Sequence, residues 1–201
     1  MKTTATLLIA ALALGASSAS IRAAEVGQAA PDFTLTSVEG PEHSLADFRG
    51  KYVVLEWTNY DCPFVVKHYK SGNMQGLQQT FTEKGVVWLS INSSAPGKQG
   101  HFTKEEWKKR IADWKVAATV VLLDSDGKVG RAYGAQTTPH IFIVNPEGVM
   151  IYAGAIDDKP STNPADIAGA RNFVRAALEA ALAGKAIESP STKPYGCSVK
   201  Y

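Results

Sequence analysis

The sequence YVVLEWTNYDCP, residues 52–63, decides the fold of this protein. Its first half is a run of β-branched and aromatic side chains, which is typical of a buried strand and predicts one over residues 52–57. Its second half ends at Pro63, and proline is favoured at the first position of a helix. The stretch therefore predicts a strand that turns directly into a helix, with Cys62 at the N-cap.

Strand and helix patterns alternate through the rest of the chain. Further strands are predicted over residues 31–36, 86–91, 119–123, 141–144 and 149–153. Helices are predicted from residue 63 to about 81 with a break at 71–73, over 105–115, and over 164–182 as one long amphipathic helix. Residues 124–127, DSDG, are similar to the start of a calcium-binding loop, but the rest of that pattern is missing. The tetrapeptide therefore predicts a hairpin turn. This order predicts an α/β domain with a central mixed β-sheet and helices on both faces.

Composition excludes several classes of protein. The 201 residues are 45% hydrophobic, 20% charged and 9% aromatic, an ordinary globular balance that rules out a disordered or fibrous chain. Lys and Arg number 21 against 19 Asp and Glu, with no basic stripe, so no nucleic-acid partner is expected. Two cysteines are too few for a disulfide scaffold or a Cys-rich zinc site.

The N-terminal residues 1–24 have the pattern of a secretory signal peptide. Lys2 precedes an apolar run over residues 5–16, and small residues follow at 17–20. The run is about a dozen residues, whereas a membrane-spanning helix needs about 20, although an anchor remains the alternative. We expect a periplasmic or secreted protein with no stable membrane anchor after processing. In such a compartment a disulfide can persist.

Cys62 is the candidate nucleophile. Free backbone N–H groups and the helix dipole at a helix N-terminus stabilise a thiolate, which is the reactive form in disulfide exchange and in attack on peroxides. The alternative is a buried cysteine that packs as a small hydrophobic residue.

Several segments resemble a known superfamily. Residues 55–63 resemble the strand and active-site turn of thioredoxin-fold proteins, and TTPHIFIVNPEG, residues 137–148, resembles their cis-proline strand and the turn after it. Residues 27–33, 124–134 and 193–197 are similar to segments of redoxins and AhpC/TSA-type, peroxiredoxin-like proteins. The resemblance covers residues 25–184 and implies a thioredoxin-like fold, with residues 185–201 as a C-terminal tail.

The resemblance also implies roles for individual residues. Glu56 matches a buried acid that moves protons near the thiols, unless its side chain points outward. Pro139 after Thr138 matches the cis-proline that faces the nucleophile and whose preceding backbone pairs with a bound peptide; an ordinary trans proline is the alternative. Thr138, Pro139 and Pro63 are therefore predicted to bind substrate.

The sequence departs from both the thioredoxin pattern and the peroxiredoxin pattern, and these departures reduce the number of possible reactions. Val65 stands where thioredoxins have their second cysteine. Asn59 stands where peroxiredoxins have Thr or Ser, and Pro139 stands where they have Arg. These departures favour an oxidoreductase over a peroxidase.

Cys197, in the C-terminal tail, is the only other cysteine. It can resolve a mixed disulfide or a sulfenic acid on Cys62, form a permanent staple with it, or act independently. Lys67 and His68 lie about 140° and 120° around the predicted helix from Cys62, so we expect them on a distant face.

The function predicted from the sequence is an exported thiol oxidoreductase, with Cys62 as nucleophile, Cys197 as resolving cysteine and Glu56 assisting. Its expected partners are protein or small-molecule disulfides, or peroxides, and an unidentified thiol reductant; no cofactor or metal is expected. A peroxiredoxin-like antioxidant is one alternative. The others are a copper-binding protein, with Cys62, Cys197, His140 and Met74 as available ligands, and a non-catalytic binding domain with a structural disulfide.

Overall fold

The computed structural model describes residues 24–201, so the predicted signal peptide lies outside the described residues except for its last one. Within that range the strands are β1 (Thr34–Ser37), β2 (Glu42–Ser44), β3 (Val53–Trp57), β4 (Val87–Asn92), β5 (Val120–Leu123), β6 (Thr137–Thr138), β7 (His140–Val144), β8 (Met150–Gly154) and β9 (Cys197–Ser198). The α-helices are α1 (Pro63–Lys70), α2 (Asn73–Thr82), α3 (Lys104–Asp113), α4 (Lys128–Tyr133) and α5 (Phe173–Leu182), with 3₁₀ helices over Leu45–Phe48 and Pro164–Gly169.

One mixed sheet of seven strands organises the chain in the order β2-β1-β5-β4-β3-β7-β8. β3 lies at its centre, parallel to β4 and antiparallel to β7. All five residues of β3 are buried, as the apolar run in the sequence predicts. The predicted mixed sheet with helices on both faces is thereby confirmed.

Two hydrophobic cores, one on each face of the sheet, follow from the alternation of side chains along β3. Val53, Leu55 and Trp57 join a core closed by α4 and the first 3₁₀ helix. Val54 points into the opposite core, which is closed by α1, α2, α3 and α5, and we call it the helix-covered core. Glu56 lies on the same face of β3 as Val54, so its carboxyl enters the helix-covered core.

Two local predictions were wrong. The long helix over residues 164–182 is a 3₁₀ helix, an extended residue at Ala170 and then α5. The Asn172 side chain accepts a hydrogen bond from the Arg175 backbone N–H, and this N-cap starts a new helix that apolar periodicity could not reveal. The turn at residues 124–127 leads into α4 rather than a hairpin, because the Asp124 carboxylate accepts from the backbone N–H groups of Val129 and Gly130.

The C-terminal tail packs along the domain. Residues 190–192 exchange backbone hydrogen bonds with Ala153 on β8. The chain then crosses to β6, where β9 forms a separate two-stranded antiparallel sheet. Its last residues lie beside Ala95, whose backbone N–H donates to the Lys200 carbonyl. In the described part of the chain, no helix has both the length and the hydropathy needed to cross a membrane.

Candidate active site

Cys62 occupies the N-cap of α1, with Pro63 at the first helical position, as predicted. Its backbone is extended (φ −82°, ψ 123°), and its carbonyl accepts the first hydrogen bond of the helix, from Val66. The thiol makes no capping hydrogen bond to the helix and is fully buried, whereas Pro63 is exposed. The nucleophile candidate thus sits at the positive end of the helix, covered by other parts of the chain.

Polar side chains fix the turn between β3 and α1. The side-chain carbonyl of Asn59 accepts a hydrogen bond from the backbone N–H of Asp61 over 2.9 Å. The Asn59 amide donates to the backbone carbonyl of Gln99, and Gln99 donates back to the Asp61 carbonyl. Arg110 on α3 pairs with the Asp61 carboxylate at 3.0 Å. Asn59 stands where peroxiredoxins have Thr or Ser, and in this structure its side chain stabilises the turn between β3 and α1.

The Thr138–Pro139 peptide bond is cis, as the resemblance implies. Both residues are buried, and the Cys62 thiol donates a hydrogen bond to the Thr138 carbonyl over 3.1 Å. Thr138 also pairs with Cys197 across the β6–β9 ladder. One residue, Thr138, thus contacts the thiol of the first cysteine and the backbone of the second.

The two cysteines, which are 135 positions apart in sequence, meet at this point with both thiols free. Burial raises the pKa of Cys197 to about 12, assisted by a hydrogen bond with the Cys62 thiol and by the negative charge that Cys62 can carry. Cys197 therefore keeps its proton at neutral pH. Cys197 is also the more exposed of the two, since Cys62 is wholly covered.

Gly196 is required for this close approach. Its φ of +143° lies in a region that side chains rarely adopt. A Cβ atom placed there would lie 2.1 Å from the Thr138 carbonyl oxygen and 2.7 Å from the carbonyl carbon. The absence of a side chain at residue 196 is therefore what lets β9 reach the Cys62 site.

Glu56 is fully buried on β3, so its side chain does not point outward. Its carboxyl accepts hydrogen bonds from four side chains: those of Tyr69, Gln78, Trp88 and Ser90. Burial raises the pKa of Glu56, although these hydrogen bonds oppose the rise. Neither cysteine is among the partners described for it.

Replacing this acid by its neutral isostere should change how stability depends on pH. Because the folded state raises the pKa of Glu56, folding favours its protonated form; that stabilisation is complete below pH 4.5 and is lost as pH rises through the folded-state value. We expect the unfolding free energy of the wild type to fall relative to Glu56→Gln as pH rises from 4 to 8. Urea unfolding at each pH measures the difference. Glu42→Gln, at an exposed position of β2, controls for the loss of a carboxylate. A Glu56→Gln difference that is constant with pH contradicts the prediction.

Lys67 and His68, expected on a distant face, are buried and contact the tail close to Cys197. Lys67 and His68 both lie within hydrogen-bonding distance of the Tyr195 hydroxyl, which in turn donates to Asp157. The prediction of a distant face used only the angles of Lys67 and His68 around α1 from Cys62, and it left out contacts with the C-terminal tail. Tyr195 lies 128 positions from Lys67, so no local sequence signal could have paired them.

The candidate copper ligands do not form a cluster. The His140 ring packs at a tilt against Phe142, with 4.3 Å between centroids, and burial lowers the pKa of His140 to about 4. Met74 is fully buried in the helix-covered core. Among residues 24–201, no group of three or more His, Cys, Asp or Glu side chains is placed to hold a metal ion.

A central mixed sheet, a cysteine at a helix N-cap and a cis-proline opposite it define a thioredoxin-fold protein. Within that superfamily, residues 26–153 match the model of the AhpC/TSA family, and the chain belongs to this family. The match includes Cys62, Thr138 and Pro139 and ends before Cys197.

Known proteins extend this similarity. The thiol-disulfide oxidoreductase ResA of Geobacillus thermodenitrificans is 29% identical over 126 residues, which are 63% of this chain and 67% of that protein. A solved structure of a hypothetical protein from Sinorhizobium meliloti 1021 superposes with a TM-score of 0.75 at 25% identity, covering 90% of this chain and 96% of the other. The thioredoxin domain of a thiol-disulfide oxidoreductase from Bacteroides vulgatus superposes with a TM-score of 0.52 at 28% identity, covering 64% of this chain and 87% of that domain.

Proposed function

We propose that this protein is an exported thiol-disulfide oxidoreductase in which Cys62 is the nucleophile and Cys197 the resolving cysteine. Both cysteines meet at Thr138, and this is the observation that carries the proposal: the Cys62 thiol, at the N-terminus of α1, donates to the Thr138 carbonyl, and Cys197 pairs with Thr138 across the β6–β9 ladder. The similarity to ResA and to the Bacteroides domain supports the reaction class.

The proposed reaction has two exchange steps. The Cys62 thiolate attacks one sulfur of a substrate disulfide, forms a mixed disulfide and releases the other sulfur as a thiolate. Cys197 then loses its proton and attacks the Cys62 sulfur, which releases the second substrate thiolate and leaves a Cys62–Cys197 disulfide. The substrate gains two electrons, and the two protons lost by the cysteines balance the two thiols formed. An external thiol reductant returns the protein to the dithiol.

The unequal surroundings of the thiols support this division of roles. The raised pKa of Cys197 keeps that thiol protonated, whereas Cys62 lies at the positive end of α1. A thiol with a raised pKa attacks slowly until a base takes its proton. Glu56 is our candidate for that base, because burial raises its pKa. None of the hydrogen bonds described for Glu56 is to a cysteine, so in this proposal the proton reaches Glu56 through an intervening group.

Substrate binding is proposed at Thr138, Pro139 and Pro63. β6 pairs with β9 on the edge next to Pro139, and an extended peptide bearing a disulfide can use the same backbone groups when β9 is away. Protein disulfides are therefore favoured over peroxides as substrate. The turn contact of Asn59, which stands where peroxiredoxins have a hydroxyl, supports the same choice.

A redox titration tests the proposal. We expect the Cys62–Cys197 disulfide to form and open reversibly in glutathione buffers, with a midpoint above about −300 mV, below which structural disulfides usually lie. Alkylation and intact mass count the free thiols at each potential. A disulfide that resists reduction indicates a structural disulfide and contradicts the proposed cycle. Two thiols that never form a disulfide contradict the proposed cycle as well. Mass measurement of the protein exported by its host, compared with the full-length chain, tests removal of residues 1–24.

A further inference from the structure

A buried polar site on the helix-covered side of the protein holds the hydroxyl of Tyr195. The site consists of Lys67 and His68 on α1 and Asp157 after β8, and we call these three residues the phenol site. All three are at most 1% exposed. The Tyr195 hydroxyl lies 3.2 Å from His68 Nε2, 3.5 Å from Lys67 Nζ and 2.5 Å from Asp157 Oδ1. None of these residues has a role in the proposed exchange reaction.

The hydrogen bonds in the phenol site show which atom of each pair is the donor and which is the acceptor. The Asn73 side-chain amide donates to His68 Nδ1 over 2.9 Å, so Nδ1 is an acceptor and the ring is neutral. Burial and the neighbouring Lys67 charge lower the pKa of His68 to about 3, in agreement with a neutral ring. His68 Nε2–H then donates to the Tyr195 oxygen, and the Tyr195 O–H donates to Asp157. The phenol completes a chain that needs both a donor and an acceptor.

The two charged members also bond to the backbone of Lys159, whose N–H donates to Asp157 Oδ1 at 2.9 Å. Lys67 Nζ donates to the Lys159 carbonyl at 2.6 Å and lies 3.7 Å from Asp157 Oδ2. That Asp157 oxygen is buried without a hydrogen-bond donor. Loss of the phenol would remove a hydrogen bond from a buried carboxylate, and hydrogen bonds to charged groups are stronger than those between neutral groups.

The phenol site is connected to the cysteines by a short piece of chain. Tyr195 precedes Cys197 by two residues, and its ring packs edge to face against Phe64, in the first turn of α1, at 5.8 Å between centroids. β9 then covers Cys62, which is fully buried and cannot meet a substrate while β9 is in place.

We propose that Lys67, His68 and Asp157 form a binding site for a tyrosine phenol, and that Tyr195 occupying it latches the C-terminal segment over Cys62. Release of Tyr195 is then the step that exposes the nucleophile. The latch also returns Cys197 to Cys62 when the segment closes. This inference deepens the proposed function, but its direct readout, the accessibility of Cys62, does not depend on any enzymatic activity.

Alkylation of Cys62 tests the latch. In full-length Cys197→Ser protein, Cys62 is the only thiol, and iodoacetamide can reach it only while the C-terminal segment is open. The additional substitution Tyr195→Phe removes one hydroxyl and keeps the ring. We expect it to raise the alkylation rate roughly 10- to 100-fold, the effect of losing a hydrogen bond to a charged group on the opening equilibrium.

Two matched tyrosines separate a latch from general loosening. The Tyr133 hydroxyl donates to the Pro31 carbonyl at 2.6 Å, so Tyr133→Phe removes no hydrogen bond to the C-terminal segment and should leave the alkylation rate unchanged. The Tyr201 hydroxyl donates to the neutral Ala135 carbonyl at 2.8 Å, so Tyr201→Phe should raise the rate by only a few fold. Equal rates for Tyr195→Phe and its parent overturn the proposal, as does an equal or larger effect of Tyr201→Phe. Urea unfolding of each variant must show that Cys62 reacts through local opening. A faster reaction of Tyr195→Phe that matches its loss of global stability also overturns the latch.

The outcome is independent of the exchange reaction. If Cys62 and Cys197 form no redox disulfide, the glutathione titration fails while the alkylation difference remains. If the latch is absent, the titration can still succeed.

Discussion

Replacing Cys62 with serine is expected to lower the rate of disulfide reduction by at least roughly a thousandfold, because removal of a covalent nucleophile leaves no path for the first exchange step. A serine hydroxyl in the same position is not ionised at neutral pH, and the helix N-terminus cannot compensate for that difference. The reduction of insulin disulfides, with dithiothreitol as reductant, measures the rate.

The matched variant is Cys197→Ser, which leaves the nucleophile and removes the resolving thiol. It should react once with 5,5′-dithiobis(2-nitrobenzoic acid) and stop, holding 5-thio-2-nitrobenzoate on Cys62 as a stable mixed disulfide visible by intact mass. Cys62→Ser keeps only the Cys197 thiol, which can release one 5-thio-2-nitrobenzoate and hold the other as a mixed disulfide on Cys197, and this variant cannot close an intramolecular bridge. If Cys62→Ser stays active while Cys197→Ser is inactive, Cys197, the more exposed thiol, is the nucleophile and the assigned roles are reversed.

Substituting Gly196 by alanine is expected to prevent the two cysteines from meeting. The new Cβ would lie 2.1 Å from the Thr138 carbonyl oxygen, which is also the acceptor of the Cys62 thiol. That contact involves backbone on both sides, so no flexible side chain can give way, and the φ of +143° adds strain. We expect the equilibrium constant for forming the Cys62–Cys197 disulfide to fall by about a hundredfold or more, which corresponds to about 60 mV in the midpoint potential.

Gly169→Ala is the control, since a Cβ at Gly169 meets nothing within 4 Å and its backbone is not in the left-handed region. The glutathione titration should show a midpoint near that of the wild type for this variant and a less negative one for Gly196→Ala. An unchanged midpoint in Gly196→Ala would mean that the disulfide forms without the β6–β9 ladder. Unchanged near-ultraviolet circular dichroism in both variants would show that the rest of the domain is intact.

Local rules predicted much of the site. The helix start at Pro63 follows from proline's preference for the first turn, and it places Cys62 at the N-cap. The apolar run before it predicted β3, and alternation along a strand explains why Glu56 enters the helix-covered core. Resemblance to thioredoxin-fold proteins supplied the cis bond before Pro139, which spacing alone does not reveal.

Other elements depended on contacts that sequence patterns do not carry. The apolar positions from residue 164 to 182 have helical periodicity on both sides of Ala170, so only the Asn172 cap and the extended residue before it reveal the break. α4 forms because Asp124 caps its first N–H groups after the turn, and the same Asp–Gly sequence is common in hairpins.

The sequence by itself determined the class of fold and the position of the nucleophile candidate, because a strand, a tight turn and a helix N-cap are set by residues a few positions apart. Only the tertiary structure decided what surrounds that nucleophile. Cys197 reaches Cys62 because β9 pairs with β6 across a glycine contact, and Tyr195 meets Lys67, His68 and Asp157 in a buried polar site. These groups are separated by up to 135 positions, so their meeting depends on the path of the whole chain.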